Sequence, residues 1–239
     1  EDKAEDRLDL NWLAYSICVA LGDKEWAGKL YKKAEDQAEG SLEFNWLAYS
    51  ISETLGDKEW TKKLFQKAES APENIRELCD LAGSIIETLG DRGWGIKVYQ
   101  KTEGMAEEYS EFYELADNIY IKLGDKDWAK KLFKKAEDKA EDCSDFLGLA
   151  ECICEKVGDK GWAKKVYGKA ESLAEDSGDY CELAASLCKN LGDEEWTIRL
   201  YKIAEGKAEE NLELRWLAES LAEKLGDKEW AGKIYKKAH

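Results

Sequence analysis

Proline is almost absent from this 239-residue chain: Pro72 is the only one, and histidine and methionine also occur once each, as His239 and Met105. With a single proline, little interrupts long helical stretches. With its one imidazole at the last position, the chain offers no serine or cysteine a base inside the fold, which excludes triad-type hydrolysis. His239 reads either as native or as the start of a purification tag. No EF-hand spacing, phosphate loop or glycine-rich fingerprint occurs. The expectation is therefore a protein that is not an enzyme, with no catalytic residues, no cofactor and no metal site. No apolar run approaches the roughly 18 residues of a membrane-spanning helix. Nor does the start combine a basic region, an apolar core and a cleavage site, so no signal peptide is read and no membrane partner is expected.

Positive charge is also in deficit. Lysine and arginine number 36 against 52 aspartates and glutamates, a net charge of −16. Such a surface repels phosphate backbones, which argues against nucleic acid and favours basic or neutral partners. The plainer reading is that the charge serves solubility alone. The seven cysteines are odd in number and form no CxxC pair. A disulfide framework or a zinc site has a different pattern. Small buried hydrophobes in a reducing, cytoplasmic compartment are expected instead.

What the chain has is repetition. "LGDKEW" or a close variant returns seven times, with Gly22, Gly56, Gly90, Gly124, Gly158, Gly192 and Gly226 spaced by 34. Seven units (1–34, 35–68, 69–102, 103–136, 137–170, 171–204, 205–238) fill the chain as one repeat domain without insertion or deletion. A fixed period of this length marks stacked supersecondary units that bury their apolar faces against each other.

Within residues 35–68, Phe44, Leu47, Ala48, Ile51 and Leu55 fall on one face of a helix, helix A. Gly56 supplies a left-handed cap and Asp57 an N-cap for the next helix. That helix, B, carries Trp60, Thr61, Leu64, Phe65 and Ala68 on its apolar stripe. The recurrent tryptophan is expected on the buried side, filling a wedge beside the small residue that follows it. Carboxylates recur where helix B hands over to the next unit and read as a solvated face. The predicted fold class is all-α, an α-solenoid of seven helix hairpins.

At these residues the chain resembles the tetratricopeptide repeat family. Helix B shows the small, aromatic and alanine series as Ala129, Phe133 and Ala136; helix A shows the bulky, leucine, small, bulky series as Phe112, Leu115, Ala116 and Ile119. Helix A is one residue longer before its glycine than the family pattern, and the turn between units is one shorter. "WAKKLFKKAE", Trp128 to Glu137, is more faintly similar to Sel1-like repeats. The resemblance implies a protein-binding scaffold whose concave face is lined by A helices.

Opposite the core side of helix A, repeats 1, 2 and 7 place large apolar side chains: Leu8, Trp12 and Tyr15; Leu42, Trp46 and Tyr49; Leu212 and Trp216. These eight residues are the candidate partner-binding set. Repeats 3 to 6 are mostly polar there. Over all repeats this face carries ten acids and three bases, the bases being Arg76, Lys189 and Arg215. A basic or amphipathic protein or peptide segment suits it.

Repeats 1 and 7 share "LGDKEWAGK", and neither looks like a polar cap. Two arrangements cover such ends: the chain closes into a ring, with a lumen of roughly 10 Å, or the ends stay apart in an open superhelix and stack between chains. The unbroken period favours the ring. The functional reading is a non-enzymatic binding scaffold; the alternative is a structural or assembly protein, natural or engineered, that associates with itself.

Overall fold

A computed structural model describes residues 7–238, with side chains from Leu10 onward. The described chain is a succession of helices that alternate A and B, joined by short turns. Two compact bodies divide it, one holding residues 1–107 and 114–125, the other 108–113 and 126–239.

The first body contains α1 (Arg7–Leu21), α2 (Lys24–Gln37), α3 (Ser41–Leu55), α4 (Lys58–Ser70), α5 (Ile75–Leu89) and α6 (Arg92–Glu103). Each odd helix packs on the even helix that follows it. The A helices α1, α3 and α5 also lie side by side in order. The second body contains α8 (Lys126–Glu137), α9 (Cys143–Cys152), α10 (Lys160–Leu173), α11 (Ser177–Asn190), α12 (Glu194–Lys207), α13 (Asn211–Ser220) and α14 (Lys228–Lys237), with the same pairing. Helix α7 (Tyr109–Leu123) contributes its first turn to this body and its remainder to the first. This is an all-α helical repeat architecture.

The turn chemistry is as the sequence predicts. All seven repeat glycines have positive φ, from 66° at Gly124 to 80° at Gly226. After them Asp23, Asp57, Asp91, Asp159, Asp193 and Asp227 each accept the backbone N–H of the tryptophan three residues on. Such a cap contributes about 1 kcal/mol. The extra residue before the glycine widens the last turn of helix A. In α9 and α13 it becomes a π turn, Ile153–Val157 and Leu221–Leu225. In α3 the Gly56 N–H is shared between the carbonyls of Ile51 and Ser52.

Helix B gives the core the same four positions in each repeat, Ala27, Leu30, Tyr31 and Ala34 in α2, then Thr61, Leu64, Phe65 and Ala68 in α4, and helix A faces them with residues such as Leu47, Ala48 and Ile51. Tyr31, Phe65, Tyr99, Phe133, Tyr167 and Tyr201 are all fully buried. Facing volumes are matched. In repeat 3 the small position is Gly95, and a Cβ there would stand 2.4 Å from Ile86 Cγ1. The isoleucine occupies the space that an alanine or threonine takes elsewhere.

Two expectations need correction. The repeat tryptophans do not fill a wedge inside their own hairpin. From Trp60 onward they are half-buried, and Trp60, Trp94, Trp162, Trp196 and Trp230 lean on the preceding helix B. Trp60 meets Tyr31 edge-on at 6.5 Å, Trp94 meets Phe65 at 6.3 Å, and Trp230 meets Tyr201 at 6.3 Å. The first carboxylate at the end of helix B is likewise not solvated. Glu35, Glu69, Glu137, Glu171 and Glu205 each accept the indole N–H of the tryptophan 25 residues later. A cation from the same later helix completes four of these sites: Lys67 on Glu35, Lys169 on Glu137, Arg199 on Glu171 and Lys237 on Glu205. These four glutamate side chains are only 16–24% exposed. The physical reason is polar satisfaction, since a half-buried indole N–H needs an acceptor and a half-buried carboxylate needs donors. For Glu171, the Arg199 guanidinium above all, with help from the Trp196 indole, holds the carboxyl below its usual range against the opposing effect of burial.

Candidate functional site

The A helices present one side to their hairpin and neighbours and leave the other side free. On α1 that free side holds Trp12, 70% exposed, stacked on Tyr15 at 6.1 Å with rings 10° from parallel. On the adjacent α3 the same register holds Leu42, Trp46 and Tyr49; the indole of Trp46 is 42% exposed. The first body thus brings Trp12, Tyr15, Leu42, Trp46 and Tyr49 onto one face. Leu8 belongs to α1, but its side chain lies outside the described residues. Leu212 and Trp216 stand on α13 in the second body, 51% and 58% exposed.

The contrast within one chain is sharp in energetic terms. The helix-B rings from Tyr31 to Tyr201 at the fully buried position are removed from water, each burial contributing about 1.5–3 kcal/mol. The A-face aromatics forgo that contribution. At the adjoining position, Asn11 and Asn45 hold side-chain carbonyl oxygens that are buried and accept no hydrogen bond. Asn45 as a residue is only 6% exposed. A buried acceptor without a donor costs about 1–3 kcal/mol. The sequence signal for both is a polar residue among apolar ones on helix A.

In the second body the corresponding face of α9, α11 and α13 forms an open groove of about 650 Å³. Leu147, Ala185 and Cys188 give it an apolar floor; Glu151, Glu182 and Glu223 line it with carboxylates. The cations on this side are engaged: Lys189 pairs with Glu155 at 2.9 Å and Lys224 with Glu223 at 3.6 Å. In the first body Arg76 pairs with Glu114 at 3.1 Å, and Lys122 with Glu87 at 2.5 Å. Internal pairing takes up Arg76 and Lys189, two of the three bases on the face, and leaves a surplus of acid there.

All seven thiols are free; Cys18, Cys79, Cys143 and Cys152 are buried. Burial pushes the Cys79 and Cys143 thiols up to about 12, so both stay protonated and unreactive at neutral pH. Among the described residues no three histidine, cysteine or acidic side chains gather as a metal-ligand set. No described helix is long and apolar enough to cross a membrane. No protein-family model matches the chain, and no curated protein matches it.

Proposed function

We propose that the chain is a non-enzymatic scaffold that holds a protein or peptide segment on its helix-A face. The observation that carries this is the set of exposed aromatics on α1 and α3, in a chain that wholly buries the tyrosine or phenylalanine ring of helix B in repeats 1 to 6. The resemblance to the tetratricopeptide family supports the choice of face. The charge supports the choice of partner: with Arg76 and Lys189 paired and carboxylates left over, the segment is basic or amphipathic. Its apolar side covers Trp12 and Trp46, and its basic side faces the surplus carboxylates. The free thiols suit a reducing compartment such as the cytoplasm.

The test is a titration with a synthetic helix of lysine and leucine in amphipathic register, followed by peptide anisotropy. Binding should weaken about tenfold or more in the Trp12→Ala/Trp46→Ala double variant, since two ring contacts are lost. It should also weaken with added salt. Equal binding by parent and double variant, or equal binding of a glutamate-for-lysine peptide, overturns the proposal.

A further inference from the structure

Every junction between repeats has two halves. The trailing half is the outer side of one repeat's helix B. The leading half is the next repeat's turn and tryptophan. The junction from repeat 1 to repeat 2 shows what each half contributes. Leu55 sets its Cδ1 4.0 Å from where a Cβ on Gly28 would stand. Trp60 meets Tyr31 edge-on, and the Tyr31 hydroxyl is 3.0 Å from Thr54 Oγ1. In later junctions the tyrosine hydroxyl partner is a serine four residues earlier in register: Ser186 for Tyr167 at 2.7 Å and Ser220 for Tyr201 at 2.8 Å.

A complete leading half stands uncovered on repeat 1. Leu21 is 68% exposed and Trp26 38%. A complete trailing half stands uncovered on repeat 7. Tyr235 is 36% exposed, although Tyr31, Tyr99, Tyr167 and Tyr201 at the same position are wholly buried. The match goes further than sharing a period. Position 28 of the repeat is glycine only in repeats 1 and 7, as Gly28 and Gly232; elsewhere it is lysine or isoleucine. Two of the lysines there reach the next repeat's capping aspartate, Lys130 with Asp159 at 2.9 Å and Lys164 with Asp193 at 2.8 Å. Where it is Gly28, Leu55 lies against it. A Cβ on Gly232 would have nothing within 4 Å of it, and repeat 1 presents the same "LGDKEW" that Leu55 begins.

We propose that this surface takes a second copy of the chain, joined head to tail, with repeat 1 of one copy docking on repeat 7 of another as repeat 2 docks on repeat 1. Leu21 of the incoming copy lies over Gly232, Trp26 stands edge-on to Tyr235, and the Tyr235 hydroxyl meets Ser16, which occupies the register of Ser186 and Ser220. The proposal is independent of the helix-A reading, because it uses the repeat junction and not the A face. Such an interface is heterologous: each copy keeps one free half, so assembly continues beyond a dimer.

Sedimentation and light scattering over a wide concentration range test this directly. The parent chain should show mass rising with concentration. Leu21→Glu spoils the leading half and Gly232→Glu the trailing half, the latter by setting a carboxylate against Asp23. Both sites are open, and retained helicity by circular dichroism checks the fold; Trp26→Lys replaces Leu21→Glu if helicity drops. Each variant alone should lose association by about tenfold or more, from one buried leucine or one like-charge contact. Mixed together, the two should form a one-to-one dimer and nothing larger, because one intact half survives on each. A parent chain that is monomeric at every concentration overturns the proposal, as does either variant associating like the parent or a mixture that stays monomeric.

Discussion

Replacing Glu137 with alanine removes the acceptor of two donors from a later helix. The Trp162 indole N–H gives its hydrogen bond to this carboxylate at 2.6 Å, and Lys169 pairs with it at 2.8 Å. A hydrogen bond to a charged group is worth about 1.5–3 kcal/mol. The lysine is half exposed, so its pairing adds at most about 0.2–1 kcal/mol. Because the indole is only half-buried, water reaches part of it, and the low end applies: a loss of about 2 kcal/mol. Trp162→Phe keeps a ring against the preceding repeat but deletes the N–H. If the bond joins the repeats as described, the two changes are coupled, and the double variant loses about 1 kcal/mol less than the sum of the singles. The cycle is read by urea unfolding in far-ultraviolet circular dichroism. Repeat arrays open in segments, so native-state amide exchange of α10 gives a second, local reading. Additivity within about 0.5 kcal/mol, the value for independent sites, would refute the claim that Glu137 and Trp162 act as one clamp.

Other perturbations have equally definite outcomes. Gly124→Val forces a β-branched residue to φ of +66° and should cost more than the ~1 kcal/mol of a helix-propensity change, seen as a lower urea midpoint. Gly95→Ala drives a methyl into Ile86 and should cost about 1–3 kcal/mol; adding Ile86→Val should recover part of it, and a neutral Gly95→Ala would show that the isoleucine has room elsewhere. Glu171 has its carboxyl pKa lowered in the fold, first by Arg199. A depressed acid stabilises at pH above the ordinary carboxyl value of 4.5 and loses that contribution as pH falls through the folded value. The stability gap between parent and Glu171→Gln should therefore be present at neutral pH and close in acid. A gap unchanged between neutral pH and strongly acidic conditions would contradict the pairing.

Much of the helical architecture was legible because backbone chemistry repeats with the period. Gly22 to Gly226 are left-handed caps and the aspartates after them are N-caps; both roles are local, so residue type and spacing suffice. The partners of Trp60 and Glu35 are not local. A helical wheel places the tryptophan on the apolar stripe but cannot say which neighbouring helix the stripe's edge touches. By sequence Glu35 groups with the surrounding acids of a solvated face, yet a signal is present: glutamate stands 25 residues before each repeat tryptophan, while the residues after it vary. The same limit applied to the candidate site. The exposure of Trp12, Trp46, Tyr49 and Trp216 followed from their angle on helix A. The groove beside Leu147 and Cys188 did not, because it depends on the small Ala185 between two larger neighbours and on the widened last turn at Leu221–Leu225.

The helix-A reading is tested most directly by amide hydrogen exchange of the whole chain with and without the lysine–leucine peptide. The account predicts added protection in α1 and α3, where Trp12 and Trp46 stand, with the outer surfaces of α2 and α4 unchanged. Protection confined to the B helices, or none at peptide concentrations that saturate anisotropy, would contradict it.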